Sequence, residues 1–316
     1  MTQDQAATLP VIDIAPLRSP DESKRRAVAA SLGRACREVG FFYVTGHGIA
    51  EPTMQAMFGA SRTFFALPIE EKRRLAHSRT GNNRGYVELG LERLDMSAAP
   101  DRKEAFNIGL ELPPAHPARA QPFRGDNAWP DQPDFRRLML SYYDSCLSLG
   151  TLIHRGLALD LGLPEHFFDS ALDLPMATLR LLHYPASTAD KSAPGAGTHT
   201  DYGNLTILAV DGVAGLQVQR RDGAWLDAPH IAGSFVCNIG DCLMRWSNDV
   251  YVSTPHRVSQ PASERYSIAF FLDPNPDAAV VPVLTQPGMV ARYRATTGAD
   301  FLRSRLDPTY DHVPAS

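Results

Sequence analysis

Two short stretches hold the residues able to do chemistry. One is Gly197-Thr198-His199-Thr200-Asp201-Tyr202, the other Ser253-Thr254-Pro255-His256-Arg257-Val258-Ser259. His199 and Asp201 are two residues apart, so on a strand their side chains point to the same face. An imidazole and a carboxylate then lie side by side. If His256 arrives from a later strand, the set becomes two imidazoles and one carboxylate. Such a set grips one face of a metal ion and leaves the opposite positions open. A His-x-Asp pair alone arises by chance about once in a chain of this composition. The plain alternative is a polar strand end with a surface histidine.

A third stretch, Arg265-Tyr266-Ser267, repeats the two-residue spacing. A guanidinium and a hydroxyl on one strand face can clamp a carboxylate, the Arg bidentately. A surface Arg on an edge strand is the alternative. The following Ile268-Ala269-Phe270-Phe271-Leu272 argues against it, because an apolar run predicts a strand buried on both faces. An Arg buried there needs an anionic partner.

These groups must be positioned by the rest of the chain. Leu9 to Ile14 predicts a short strand, and Asp21 can cap a helix over Glu22 to Val39, stopped by Gly40. Phe41 to Val44 predicts a buried strand, followed by a turn in which His47 bonds to backbone. A helix is expected over Glu51 to Phe65, a helix start at Pro68, and an irregular segment over Thr80 to Asp95. Lys103 to Gly109 predicts a strand, Pro113 to Pro133 an ordered loop, and Asp134 to Leu161 a long helix. Past residue 175 the strands become short, with turn signals between them. They are expected at Thr178–Tyr184, Leu205–Val210, Leu216–Gln219, Trp225–Asp227, Ser234–Asn238, Val250–Ser253, His256–Val258 and Tyr266–Asp273. Short strands punctuated by Gly, Pro, Asn and Asp suggest a jelly roll. A helix near Thr297 to Leu306 follows.

The expected fold is mainly β with flanking helices: a double-stranded β-helix, or jelly roll, with an α-helical N-terminal region. Residues 1–110 form an α/β region packing on the core, and 111–175 a Pro-rich loop and supporting helix. The jelly roll spans 176–290, and 291–316 form a C-terminal helix or lid. The chain has 316 residues, 44% of them hydrophobic, with a net charge of -4. That suffices for a sizeable core and gives no sign of a nucleic-acid partner. No apolar run is long enough to span a bilayer. Cys36, Cys146, Cys237 and Cys242 show no CxxC pairing and suit reduced thiols of a cytoplasmic protein, a monomer or homodimer.

The order His-Thr-Asp, Ser-Thr-Pro-His-Arg-Val and Arg-Tyr-Ser-Ile-x-Phe-Phe resembles the isopenicillin N synthase-like family of Fe(II)/2-oxoglutarate-dependent dioxygenases. Gly215-Leu216-Gln217-Val218, Asn238-Ile239-Gly240-Asp241, Pro10-Val11-Ile12-Asp13 and Gly40-Phe41-Phe42-Tyr43-Val44-Thr45-Gly46-His47-Gly48 are similar too. The resemblance covers residues 9 to 310. It implies that His199, Asp201 and His256 are iron ligands and the catalytic centre. It implies that Arg265 and Ser267 grip the distal carboxylate of 2-oxoglutarate, and that Tyr184 bonds to that co-substrate. Many plant members carry Asn where this chain has Leu182, which puts one co-substrate hydrogen bond in doubt. His183 is read as packing rather than as a fourth ligand. The implied reaction consumes O2 and 2-oxoglutarate, releases succinate and CO2, and hydroxylates or desaturates a small-molecule metabolite.

Substrate contacts are expected from Arg84, Tyr86 and Glu88 of the irregular segment, from Asn107, and from the C-terminal helix acting as a lid. Arg84 suits a carboxylate-bearing or amino-acid-like molecule. Phe235, Phe270, Phe271 and Leu216 are candidate dry walls, though aromatics in such a sheet are more often plain core. The nearest rival is a 2-oxoglutarate-independent Fe(II) oxidase of the isopenicillin N synthase or aminocyclopropane-carboxylate oxidase type. In isopenicillin N synthase the same Arg-x-Ser pair holds the substrate. A metal-binding jelly roll without turnover and a zinc hydrolase are weaker rivals, the latter because no general base is evident.

Overall fold

A computed structural model describes residues 8–77, 82–187, 193–285 and 287–310, with side chains described up to 306. Thr80 and Gly81 of the irregular segment, residues 1–7 and the last six residues lie outside the described residues.

Fourteen strands are assigned among the described residues: β1 (Val11–Asp13), β2 (Phe41–Thr45), β3 (Gly85–Val87), β4 (Glu104–Gly109), β5 (Thr178–Tyr184), β6 (Ala196–His199), β7 (Leu205–Val210), β8 (Leu216–Gln219), β9 (Trp225–Asp227), β10 (Phe235–Ile239), β11 (His256–Val258), β12 (Arg265–Leu272), β13 (Ala279–Val280) and β14 (Thr296–Thr297). The larger sheet has the order β1-β2-β10-β7-β12-β5-β4-β3 and the smaller one β6-β11-β8-β9. Strands β10, β7, β12 and β5 with the four-stranded sheet make the jelly roll. The N-terminal strands extend its larger sheet at both edges.

Among the described residues six helices flank these sheets: α1 (Glu22–Glu38), α2 (Glu51–Phe65), α3 (Ile69–Arg74), α4 (Phe135–Asp160), α5 (Asp241–Trp246) and α6 (Gly298–Tyr310). Asp21 caps α1, its carboxylate accepting from Ser23 N at 2.9 Å. Leu149, Ile153 and Leu157 of α4 are buried in the main core with Leu32 of α1 and with Ile207, Phe270 and Leu272 of the larger sheet. Gly150 permits the close approach of α4, since a Cβ there would lie 2.5 Å from Leu272 Cδ2. A smaller apolar cluster lies between the two sheets and includes Tyr184, Leu216, Val258 and Ala269. No described helix is long and apolar enough to cross a membrane.

The predicted strand Val250–Ser253 does not form. Tyr251 instead buries its ring, and its hydroxyl donates to Leu157 O at 3.1 Å and Asp160 Oδ2 at 2.7 Å. Val252 N donates to Cys36 O at the end of α1, so this backbone is satisfied without a strand neighbour. Residues 85–87, read as irregular, form edge strand β3.

β12 is buried on both faces, as its apolar run predicted. Ile268, Phe270 and Leu272 enter the main core. Arg265, Ser267, Ala269 and Phe271 alternate with them and line a cavity between the sheets. The pleat therefore aims the polar residues of one strand into a single cavity.

Candidate active site

The cavity has a volume of about 400 Å³. At its inner end β6 finishes and β11 begins, and His199 and His256 face each other in antiparallel register. Their ring centroids are 4.2 Å apart. Asp201 lies two residues beyond the end of β6, outside the ladder. The loop, rather than strand pleat, turns it back. Asp241 N donates to Asp201 O at 2.8 Å. Gly240 allows this packing, as a Cβ there would lie 2.3 Å from Gly203 O.

Asp201 Oδ1 is 3.8 Å from His199 Nε2 and 3.6 Å from His256 Nε2. The three ligand atoms lie within 4.8 Å of one another. His199 Nδ1 bonds to Gly197 O at 2.7 Å and His256 Nδ1 to Thr254 O at 3.1 Å. A carbonyl only accepts, so each Nδ1 carries the proton and each Nε2 presents a lone pair. Burial, then the neighbouring His256, depress the His199 pKa to about 3 and keep the ring neutral. Burial alone would raise the Asp201 carboxyl. The two imidazoles, with hydrogen bonds from Asn238 and Thr206, outweigh it and hold the carboxyl below its ordinary range. Thr206 Oγ1 and Asn238 Nδ2 donate to Asp201 Oδ2 at 2.5 and 2.8 Å. They are register partners on β7 and β10, which is why both reach the same oxygen. Two neutral Nε2 atoms and one carboxylate oxygen fit a divalent metal, with the second carboxylate oxygen and both Nδ1 atoms held from behind.

Arg265 is only 1% exposed. Its Nε donates to Val213 O at 3.2 Å and its Nη1 lies 3.5 Å from Ser267 Oγ. Its guanidinium carbon is 4.8 Å from the Tyr184 ring centroid. Among the described residues no carboxylate forms an ion pair with it. A buried guanidinium beside a hydroxyl and a tyrosine, facing a cavity, fits a carboxylate supplied by a ligand.

Arg84, Asn107 and Phe271 line the cavity. Arg84 is 4% exposed and donates to Gly125 O. Tyr86 does not line the cavity. It points into the main core, and its hydroxyl donates to Glu104 Oε2 at 2.5 Å. The alternation of β3 decides this, because one face of an edge strand looks away from the cavity. Glu88 pairs with Arg73 instead. Leu216 lines the cavity, whereas Phe235 and Phe270 are in the main core. His183 bonds to Glu104 Oε1 at 2.8 Å and stacks on Tyr266. His47 bonds to Gly233 O, as a turn histidine would. Leu182 lines the cavity.

Several cavity residues escaped the sequence reading. Arg180 pairs with Glu92 at 2.6 Å, and Lys103 pairs with Glu92 at 3.2 Å and with Asp101. Asp101 also accepts from Gly197 N at 2.9 Å, tying this cluster to the His199 strand. Burial would raise the Glu92 carboxyl, but Arg180 and Lys103 outweigh it and hold it down to about 2. Asp273 follows β12 on its cavity face. Burial, then the Asp201 carboxylate, push its pKa up to about 7.

Sequence comparison decides what this geometry belongs to. Residues 175–274 match the 2OG-Fe(II) oxygenase superfamily, and residues 9–132 match the N-terminal region described as non-haem dioxygenase in morphine synthesis. The chain is 35% identical to the 2-oxoglutarate-Fe(II) type oxidoreductase hxnY of Emericella nidulans, over 97% of this chain and 91% of that one. The chain belongs to the 2-oxoglutarate/Fe(II) oxygenase family. This oxygenase is also 38% identical to a homoarginine-6-hydroxylase of Oryza sativa, over 94% of its own length and 96% of the relative's. It is similar in structure to a full-length Neurospora crassa protein solved in complex with alpha-KG and thymine. There the TM-score is 0.86 at 32% identity, covering 97% of this oxygenase and 98% of the Neurospora chain. The oxygenase is a non-haem Fe(II), 2-oxoglutarate-dependent dioxygenase acting on a small molecule, with a jelly-roll core.

Proposed function

We propose that His199, Asp201 and His256 hold the Fe(II), and that Arg265, Ser267 and Tyr184 grip 2-oxoglutarate. The observation that carries this is Arg265, a guanidinium 1% exposed that faces the cavity without a protein carboxylate among the described residues. The reaction is R–H + 2-oxoglutarate + O2 giving R–OH + succinate + CO2. Bound iron supplies O2 activation. The chain's own residues bind, orient and keep water out. Backbone carbonyls fix both imidazoles, Thr206 and Asn238 fix Asp201, and Arg265 orients the co-substrate from the opposite end. Phe271, Leu216 and Leu182 keep the intervening space apolar.

A cavity of about 400 Å³ suits a co-substrate and a compact second molecule of the size of homoarginine or thymine, the compounds named for the relatives. An amino-acid-like substrate would place its carboxylate beside Arg84, which lines the cavity. The four cysteines are free and buried, which suits a cytoplasmic setting. The 2-oxoglutarate-independent oxidase is not favoured, because the relatives carry 2-oxoglutarate in their names.

The test is to supply Fe(II), 2-oxoglutarate and O2 with a panel including homoarginine and thymine. Succinate and a product heavier by one oxygen should form in equal amounts for a substrate. Product formed with no need for 2-oxoglutarate would overturn the assignment of Arg265.

A further inference from the structure

Among the described residues, Asp273 is the one buried carboxylate of the cavity that neither the proposed metal site nor an internal ion pair uses. It follows Phe271 by two residues, on the β12 face that begins with Arg265. It is 7% exposed. Among the described residues it has no hydrogen-bond or ion-pair partner for its carboxyl. Its Oδ1 lies 2.8 Å from where a Cβ on Gly203 would stand, so it abuts the loop that carries Asp201. Two cations that line the cavity are engaged: Lys103 with Asp101, Arg180 with Glu92. Met176, Phe271, Leu302 and Leu306 supply the apolar lining.

A buried carboxyl without a partner is costly, and the cost is recovered when a ligand brings the missing cation. We propose that Asp273 is a specificity-determining residue, and that the primary substrate presents an amine or guanidinium to it while its aliphatic part lies across Phe271. This rests on the oxygenase assignment above and names the class of substrate for that site. Arg265 and Asp273 then divide the cavity by charge: the anionic co-substrate at one end of β12, the cationic group at the other.

The full chain, loaded with Fe(II) and 2-oxoglutarate under argon, is titrated by calorimetry with matched pairs. These are n-butylguanidine against n-butylurea, and L-homoarginine against L-homocitrulline. The guanidinium member should bind on the order of tenfold tighter or more. Asp273→Asn should abolish that preference while 2-oxoglutarate binding, read by its visible band, stays unchanged. Should that variant not fold, Asp273→Ser carries the same comparison. Equal or tighter binding of the ureas to the wild type, no binding of either guanidinium, or a preference kept in the variant overturns the proposal. Absence of the 2-oxoglutarate band in the wild type would instead remove the co-substrate assignment, and this proposal with it.

Discussion

The Arg265 guanidinium lies over the ring of Tyr184, 4.8 Å from its centroid, and the two residues are direct register partners on β12 and β5. The ring thus covers one face of the cation while Val213 O and Ser267 fix two of its nitrogens. What remains points at the cavity, already oriented.

Arg265→Met should therefore weaken 2-oxoglutarate binding without emptying the metal site. Breaking a buried charge pair costs about 3–5 kcal/mol, on the order of 10²–10³ in affinity or more. Iron content should be nearly unchanged. A 2-oxo acid lacking the distal carboxylate should lose far less. Equal losses for both acids would place the carboxylate grip elsewhere.

Behind the proposed metal site, Asn238→Ala leaves Asp201 Oδ2 with Thr206 alone. Iron affinity should fall roughly 10–100-fold, as for other residues that orient a ligand. Asp201→Ala should abolish iron retention and turnover, the fold remaining intact. Metal titration of the purified variants measures both, and wild-type iron affinity in Asp201→Ala would take Asp201 out of the ligand set.

Tyr86→Phe tests the placement of Tyr86 in the core. It removes one of three donors to the buried Glu104, Lys72 and His183 remaining. Stability should drop by about 1–3 kcal/mol, with turnover per iron unchanged. A changed substrate KM at unchanged stability would return Tyr86 to the substrate site.

The sequence made much of this arrangement readable, and where it did not the reasons are local. Glu51–Phe65, Thr178–Tyr184, Leu205–Val210 and His256–Val258 fall at their expected bounds, because periodic or apolar runs meet clear turn residues. Strand β6 reads Ala-Gly-Thr-His, with no alternation, and its extended state comes from pairing with β11. Helix α5 has six residues, too few to show a period. The grouping of His199, Asp201 and His256 was visible from residue type and order alone. Arg180 and Glu92 were not, being 88 residues apart and joined only by the fold. Asp273 was within reach: the two-residue spacing that marked Arg265 and Ser267 continues to it. Tyr86 misled because its three-residue strand shows no face of its own.

The C-terminal helix α6 carries Leu302 and Leu306 to the cavity, and Arg305 pairs with Asp241 at 2.5 Å. Asp241 in turn accepts at 3.1 Å from Thr200, which stands between His199 and Asp201. Truncation before Gly298 should spare the β core but raise 2-oxoglutarate consumption uncoupled from product, because water gains access. Succinate and product are counted separately. Insoluble protein would instead make α6 part of the core.

The most direct measurement is an anaerobic titration of the Fe(II)-loaded protein with 2-oxoglutarate, followed by the visible charge-transfer band of the chelate. A saturable band is predicted in the wild type, shifted to much higher 2-oxoglutarate concentration in Arg265→Met and absent in Asp201→Ala. No band in the wild type, with O2 still consumed when only the primary substrate is added, would contradict the account.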